Sequence, residues 1–197
     1  TASLPTEFRP RTLIASRRDP LIDFVRGEAG AVVLKPHDGS HGRDVYLIQP
    51  QDETNLLQII DSLLRQGPVV AQTFVPAARE GDVRVWLVSG ELFCVGDLIP
   101  AARRVPARGA FRSNTDAGGQ VQAAHVPAEL IARLERLAVL LLAEGIDLAG
   151  LDMAGDSVLE VNVFSPGGLT DMEALLGLPL CGPLVTRVLT GHAGSGP

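Results

Sequence analysis

Lysine is almost missing from this sequence of 197 residues: of its 17 basic residues, 16 are arginine and one, Lys35, is lysine. Because arginine supplies the general positive charge, a single lysine at the end of an apolar run indicates a chemical role. Net positive charge and aromatic residues are also lacking, since the formal charge is −6 and aromatic residues make up 4% of the chain. Both shortages argue against a nucleic-acid partner, which requires a basic surface and platforms for base stacking.

Cysteines and long apolar runs are equally scarce. Cys94 and Cys181 are too few for a disulfide framework and lack the spacing of a metal site, so we expect both in the core. No apolar run approaches the roughly 18 residues that span a membrane, and Thr1 is not followed by a charged-then-apolar leader. These features favour a cytoplasmic protein with no membrane association. Hydrophobic residues make up 46% of the chain, which is enough to build one large domain or two small lobes.

Apolar patterns along the chain predict strands in runs with helices between them. Helices are expected over residues 19–27, 53–65, 169–176 and 180–189, and from Pro127 onward. Strands are expected over residues 31–34, 45–48, 69–74, 83–88, 92–99, 101–105, 148–153 and 158–163. This order is not a strict alternation, so it favours an α+β fold with antiparallel sheets over a Rossmann-type fold.

A change in pattern near residues 66–73 predicts a boundary between two lobes. The small lobe covers residues 1–68 with a leading segment 1–16, the large lobe covers 69–190, and residues 191–197 form a flexible tail. Ligands often bind in the cleft between such lobes. Candidate site residues are therefore expected on both sides of this boundary.

Lys35 lies between a predicted strand and a loop that reads Pro-His-Asp-Gly-Ser-His-Gly over residues 36–42. An ammonium group at a strand end suits a phosphate ligand, and Gly39 and Gly42 allow backbone N–H groups to approach phosphate oxygens closely. The spacing is not that of a Walker loop. The alternative is an ordinary hairpin loop with a lysine that reaches the solvent, in which the two histidines are simple loop residues.

Acidic and amide side chains cluster on a predicted hairpin over residues 148–163. Glu160 and Asn162 share one face of their strand because side chains alternate. A three-residue turn at 155–157 would place Asp152 opposite Glu160, whereas a two-residue turn would break that pairing. Facing carboxylates repel each other unless a cation neutralises them, and oxygen ligands suit Mg²⁺. The alternative is the solvated polar face of a half-buried strand.

Two further segments carry charges that suit an anionic ligand. Arg103 and Arg104 precede a loop that reads Phe-Arg-Ser-Asn over residues 111–114, and this richness in arginine favours contact with phosphate or an acidic substrate. The alternative is a flexible, solvated loop. Strand alternation also places Asp82 and Arg84 on one face, where they form either part of a site or a surface ion pair.

Taken together, these segments resemble the ATP-grasp ligases, specifically the group of bacterial glutathione synthetases and RimK-type (ribosomal-protein glutamate) ligases. Residues 33–39 resemble the phosphate loop of glutathione synthetase, residues 111–119 resemble the RimK-type ligase, and residues 151–152 with 160–168 match both. The resemblance covers residues 31–189. It implies an ATP-grasp fold, in which two α+β lobes with antiparallel sheets enclose a nucleotide cleft.

The resemblance also implies roles in ATP binding. Lys35 would contact the α- and β-phosphates, and Asp82 would meet the ribose. Arg84 and Arg112 would be catalytic, because they would face the γ-phosphate and the acyl phosphate. The other ATP contacts are implied at Gly39, Ser40, Gly42, Gln72, Thr73, Phe74, Val75 and Asn114.

Metal and substrate contacts follow from the same resemblance. Asp152, Glu160 and Asn162 would hold two Mg²⁺ ions, with Mn²⁺ as an alternative. Substrate contacts are implied at Arg103, Ser165, Gly167 and Gly168. The family's N-terminal substrate domain is not among these 197 residues. Neither is its second ATP-binding lysine, which relatives carry just upstream of the stretch corresponding to Thr1.

The implied activity is that of an ATP-dependent carboxylate–amine ligase, which forms an amide bond through an acyl phosphate. The leading substrates are γ-glutamylcysteine and glycine, or a related peptide. The enzyme alternative is a RimK-type ligase that adds an amino acid to a peptide or protein terminus. The other alternative is a nucleotide-binding domain without catalysis. Small-molecule or short-peptide carboxylates and amines are thus the expected partners, and a homo-oligomer is compatible with this interpretation.

Overall fold

Two antiparallel sheets form the framework of the computed structural model, which describes residues 2–39, 43–50, 54–107, 120–164 and 166–191. Each sheet buries a face against helices, so the chain has the two-lobed α+β architecture that the sequence predicts. Within these ranges, no helix is both long and apolar enough to cross a bilayer.

The first sheet has four strands in the order β1–β4–β2–β3, and its strand pairings are antiparallel. Its strands and covering helices are β1 (Thr12–Ala15), α1 (Arg18–Arg26), β2 (Val32–Pro36), β3 (Tyr46–Ile48), α2 (Leu56–Leu64) and β4 (Val69–Thr73). Alternation gives each strand one apolar face, on which Leu34, Val69 and Ala71 pack with Leu21 and Ile60 of the helices. The opposite face lies toward the second half of the molecule.

β4 corrects the predicted lobe boundary. The strand expected to open the large lobe at residue 69 instead lies inside the first sheet, paired with both β1 and β2. Gly67 and Pro68 end α2, but the chain then returns to the same sheet, so the first half extends through Thr73. The leading segment is also divided, because Leu4 and Phe8 pack into the core of the second half.

The second sheet has the order β10–β9–β5–β7–β8, with β6 paired to the end of β5. Its strands and helices are β5 (Asp82–Val88), β6 (Glu91–Leu92), β7 (Ala102–Val105), β8 (Gln120–Ala123), α3 (Ala128–Ala143), β9 (Leu148–Ala154), β10 (Ser157–Asn162), α4 (Leu169–Leu176) and α5 (Cys181–Gly191). α3 covers one face through Leu134, Leu137 and Leu141. α4 and α5 pack on the other face around Trp86.

The strand predicted over residues 92–99 is not continuous. β6 covers only Glu91–Leu92, and the chain later turns at Gly96, whose φ of +60° suits glycine. A single bridge between Val95 and Leu98 closes that turn. The apolar pattern overestimates this strand because a glycine inside an apolar run permits a turn that the pattern does not reveal.

β9 and β10 form the hairpin that carries the predicted metal ligands. The turn has only two residues, 155–156, and the register then shifts after Val158, which leaves Leu159 as the extra residue of a β-bulge. The shift brings Glu160 opposite Asp152. The predicted pairing is therefore confirmed, although the predicted three-residue turn is wrong.

Candidate functional site

The face of the first sheet that points away from its helices carries Lys35. Lys35 of β2 pairs with Val70 of β4, which pairs in turn with Ile14 of β1. Gln72 and Thr12 form the next row on this face, where the Gln72 amide donates a hydrogen bond to the Thr12 hydroxyl at 3.1 Å. The single lysine of the chain therefore lies beside a floor of mixed polar and apolar side chains.

A cavity of about 270 Å³, called here the lysine cavity, lies between this face and β10. Lys35, Gly39, Arg43 and Gln72 line it from the first half of the molecule, and Glu160 lines it from β10. The lysine and the acidic hairpin thus share one cavity between the two sheets. This arrangement is what a phosphate-bearing ligand with a bound cation requires.

Four charged side chains of the second sheet form a buried network, defined here by Asp82, Arg84, Arg104 and Asp152. Arg84 binds Asp152 through two hydrogen bonds, from Nε to Oδ1 at 2.5 Å and from Nη2 to Oδ2 at 2.7 Å. Arg104 Nη2 lies 2.8 Å from Asp152 Oδ1, and Arg104 Nε donates to Asp82 Oδ2 at 2.8 Å. Because β7, β5 and β9 are neighbours, strand alternation brings all four side chains to one face.

Burial and neighbouring charges act in opposite directions on the pKa values of this network. Burial raises the pKa of Asp82 to about 6, although the charge of Arg104 acts against the rise. Burial would also raise the pKa of Asp152, but hydrogen bonds from Arg84 and the charges of both arginines hold it below its ordinary value. Burial opposes ionisation of Arg104 as well, yet its two carboxylate partners raise its pKa. Near neutral pH, two carboxylates therefore balance two guanidinium groups.

Arg84 also links the network to the loop that follows β10. Its Nη1 donates a hydrogen bond to the Gly167 carbonyl at 3.0 Å. Gly150 of β9 permits this close approach, because a Cβ there would lie 3.0 Å from Pro166 Cβ and 3.4 Å from Arg84 Cδ. Gly168 then precedes α4 with a φ of +91°, which favours glycine. Gly167, predicted to contact substrate, is thus bound directly by the predicted catalytic Arg84.

The three predicted metal ligands do not present their oxygens equally. Asp152 contacts Arg84, Arg104 and the Nδ2 of Asn162, which together occupy the lone pairs of both its carboxylate oxygens. Glu160 is exposed and has no ion pair with a described residue, and no described donor contacts Asn162 Oδ1. Glu160 and Asn162 therefore fit a hard cation, whereas Asp152 orients arginines. In the described part of the chain, no group of three or more His, Cys, Asp or Glu side chains could hold a metal ion.

The predicted adenine-binding residues, 72–75, lie where β4 leaves the first sheet. Gln72 lines the lysine cavity, but the Thr73 hydroxyl donates to Glu28 at 2.8 Å. The backbone N–H groups of Thr73 and Phe74 donate to carbonyls in the segments that precede β1 and β2. These two N–H groups are therefore engaged within the fold.

Two predicted contacts lie elsewhere than the sequence suggests. Asp82, expected to meet the ribose, is 4% exposed and bound to Arg104, and it is not part of the described lining of the lysine cavity. Arg103, expected to contact substrate, pairs with Val83 and points to the opposite face of the second sheet. Arg104, not Arg103, shares the face of the sheet that carries Asp82. The strand register decides which of these two neighbouring arginines meets Asp82, and the register cannot be read from the arginine pair alone.

Part of the predicted site lies outside the described residues. These positions are Ser40, Gly42, Arg112, Asn114 and Ser165. Of the other predicted residues, the lysine cavity gathers Lys35, Gly39, Gln72 and Glu160, and the buried network gathers Asp82, Arg84 and Asp152. Arg104 is the functional candidate that the sequence prediction grouped with an arginine-rich segment but did not assign to the site. Its signal was the adjacency to Arg103, combined with an acidic residue, Asp82, on a neighbouring predicted strand.

Comparison with known proteins gives a consistent family. A family model described as the ATP-grasp domain of prokaryotic glutathione synthetase matches residues 1–177. The glutathione synthetase of Parasynechococcus marenigrum is 37% identical over 179 residues, which cover 90% of this chain and 56% of the relative. That of Vibrio parahaemolyticus is 33% identical over 192 residues, which cover 95% of this chain and 58% of the relative. The chain thus spans little more than half the length of these relatives.

Solved structures, among them an ATP-grasp ligase, share the fold. D-cycloserine synthetase DcsG matches with a TM-score of 0.65 at 21% identity, over 95% of this chain and 65% of that chain. The ATP-grasp ligase PsnB, in complex with its minimal precursor, Mg and ADP, gives a TM-score of 0.63 at 21% identity, over 98% of this chain and 55% of that chain. The predicted ATP-grasp fold is therefore confirmed.

Proposed function

This chain belongs to the ATP-grasp domain family of prokaryotic glutathione synthetases, and from that premise we propose that it binds ATP and Mg²⁺ as part of a carboxylate–amine ligase. The observation that supports this most directly is the lysine cavity, with Lys35 on one side and Glu160 on the other. In the proposed reaction, a substrate carboxylate takes the γ-phosphoryl group of ATP and ADP leaves. An amine then displaces phosphate from the acyl phosphate, and an amide bond forms. The proposed substrates are γ-glutamylcysteine and glycine, or a related peptide.

Different groups around the lysine cavity would bind the phosphates and the metal ion of the nucleotide. Lys35 would counter the negative charge of the α- and β-phosphates, since a compact ammonium group suits phosphate oxygens. Mg²⁺, when bound, supplies a positive charge that neutralises the transferring phosphoryl group. Glu160 and Asn162 would hold that ion through their open oxygens. One half of the molecule thus offers a cation and the other half offers cation ligands.

Arg84 would stabilise the negative charge that develops at the γ-phosphate and the acyl phosphate. Three of its five N–H groups are fixed on Asp152 and Gly167, so two remain for a ligand. Asp152 would act as a positioning residue, because its two hydrogen bonds hold the guanidinium before any substrate arrives, and Arg104 would act through its contact with Asp152. By the family resemblance, Arg112 would supply a second positive charge at the same step.

Replacement of Lys35 tests the proposed nucleotide site directly. A charge-assisted hydrogen bond contributes about 1.5–3 kcal/mol, so Lys35→Met should weaken binding of Mg-ATP roughly 10- to 150-fold in isothermal titration calorimetry. Lys35→Arg keeps the charge and should retain more of the affinity. Arg65→Gln, an exposed change directly after α2, is the control and should leave the Kd unchanged. An unchanged Kd in Lys35→Met would remove Lys35 from the nucleotide site.

A turnover assay separates the proposed ligase from its alternatives. ADP release should be stimulated by γ-glutamylcysteine together with glycine, and not by either substrate alone. Stimulation by a peptide terminus with a free amino acid would instead support a RimK-type reaction. ATP binding with no turnover for any acid–amine pair would favour a nucleotide-binding module without catalysis.

A further inference from the structure

A second cavity, called here the α3 cavity, lies between the second sheet and the first half of α3, and it has a volume of about 450 Å³. Val83 and Val85 of β5 and Met153 of β9 line its sheet side, and Leu130 lines its helix side. This apolar lining and this volume are typical of small-molecule sites, which occupy roughly 300–1,000 Å³. The buried network plays no part in it, because Val83 and Met153 alternate with Asp82 and Asp152 along their strands and so face the other way.

Two arginines converge on the α3 cavity. Arg103 lines it from β7, and its side chain has no hydrogen bond or ion pair with another described residue. Arg133 lines it from α3, where its Nη2 donates to the Glu7 carbonyl and its guanidinium lies 5.2 Å from the centre of the Phe8 ring. The Nε of Arg133 is buried and has no hydrogen-bond acceptor among the described residues. A buried donor without a partner is costly, so an acceptor oxygen in this cavity would be stabilising.

The charge balance of the lining restricts the ligand. Glu129 and Asp156 also line the α3 cavity, so the two guanidinium groups face two carboxylates, with His125 beside them. Such a balance tolerates one negative charge on a ligand but repels a polyanion such as a nucleotide. The apolar lining in turn requires a hydrocarbon body.

We propose that the α3 cavity binds a small organic monocarboxylate with an apolar body, whose carboxylate is held by Arg103 and Arg133. Such a carboxylate supplies the acceptor that Arg133 Nε lacks and a partner for Arg103. Its hydrocarbon body packs on Val83, Val85 and Met153. This site is separate from the proposed nucleotide site, so its test needs neither ATP nor turnover.

The methionines of the chain provide a direct readout. There are two, Met153 in the lining of the α3 cavity and Met172 on the other face of the second sheet. In protein labelled with [methyl-¹³C]methionine, titration with octanoate should shift the Met153 methyl signal to saturation and leave the Met172 signal in place. Octan-1-ol has the same hydrocarbon chain without a charge, so it should bind roughly tenfold more weakly or worse.

Variants separate carboxylate recognition from a general affinity for apolar molecules. Arg103→Gln should raise the apparent Kd for octanoate about tenfold or more, whereas Arg65→Gln directly after α2 should leave it unchanged. Leu130→Trp should fill the cavity and abolish the Met153 shift. The proposal is overturned if octanol equals octanoate, if Arg103→Gln binds normally, if both methyl signals shift together, or if neither shifts.

Discussion

The lysine cavity and the buried network differ in how their charges are satisfied. In the lysine cavity, Glu160 is exposed, Lys35 is half-buried, and the described residues offer neither an ion-pair partner. In the buried network, each carboxylate meets a guanidinium at hydrogen-bond distance. The difference indicates that the cavity charges are available to a ligand, whereas the network charges fix the geometry around Arg84. Substitutions in the two regions should therefore affect different properties of the protein.

Removal of the central carboxylate of the network should have the largest effect on stability. Asp152→Asn leaves two buried guanidinium groups facing a neutral amide, and breaking a buried pair in this way costs about 3–5 kcal/mol. Urea unfolding at pH 7 measures the loss. Glu160→Gln, directly opposite on the same hairpin, is the matched control and should change the free energy of unfolding by less than about 0.5 kcal/mol. Equal losses in both variants would abolish the distinction between cavity and network.

A pair of neighbouring arginines sharpens the same comparison. Arg104→Met removes the hydrogen-bond partner of the buried Asp82 and should lower the free energy of unfolding by about 2 kcal/mol. Arg103→Met changes the adjacent residue on the opposite face and should cost about 0.5 kcal/mol or less. The measurement is thermal or urea unfolding of both variants. If Arg103→Met were the more damaging, the register of β5 and β7 would be in question.

Glu160 should matter for the cation rather than for the fold. Loss of this carboxylate should weaken the Mg²⁺-dependent part of ATP binding by roughly tenfold, which corresponds to about 1.4 kcal/mol. Calorimetric titration of ATP with and without saturating Mg²⁺ measures that part in wild type and in Glu160→Gln. Affinity without Mg²⁺ should be the same in both proteins. A Mg²⁺ effect of undiminished size in the variant would contradict the assignment of Glu160 as a metal ligand.

The most gradual expected effect is a pH dependence of stability. The folded-state pKa of Asp82, about 6, lies above its ordinary value of 3.8, so the folded protein binds this proton more tightly than the unfolded chain. The Asp82 contribution is therefore fully present below pH 3.8 and is lost as pH rises toward 6, by at most about 1 kcal/mol per pH unit. Unfolding curves of wild type and Asp82→Asn between pH 4 and 6, without nucleotide, should differ by this slope. Parallel curves would show that Asp82 does not titrate in that range.

Local patterns sufficed for most elements of the fold. The apolar spacing in α2 and α3 predicted both helices, and alternation predicted that Asp82 and Arg84 share a face. The chemistry of the site was predictable to the same extent, because a solitary lysine and a cluster of oxygen donors are visible in the sequence itself. These features depend on residues that are close along the chain.

The sequence prediction failed where distant strands had to be paired. β4 joins the first sheet because its partners are β1 and β2, and no local signal at Gly67 and Pro68 distinguishes a return to the same sheet from a new lobe. The choice between Arg103 and Arg104 likewise depends on the register between β5 and β7. Sheet pairing is a property of segments far apart in the chain, so a single sequence leaves it undetermined.

The bulge at Leu159 has a consequence for how this hairpin tolerates insertions and deletions. The extra residue on β10 compensates for the short turn at 155–156, because it brings Glu160 opposite Asp152. Deleting Leu159 would remove the bulge but leave Val158 opposite Met153 and Glu160 opposite Asp152, whereas regular pairing of Leu159 with Asp152 would turn Glu160 to the other side of its strand. A hairpin of this kind can therefore exchange a two-residue tip with a bulge for a three-residue tip without one while keeping the facing carboxylates.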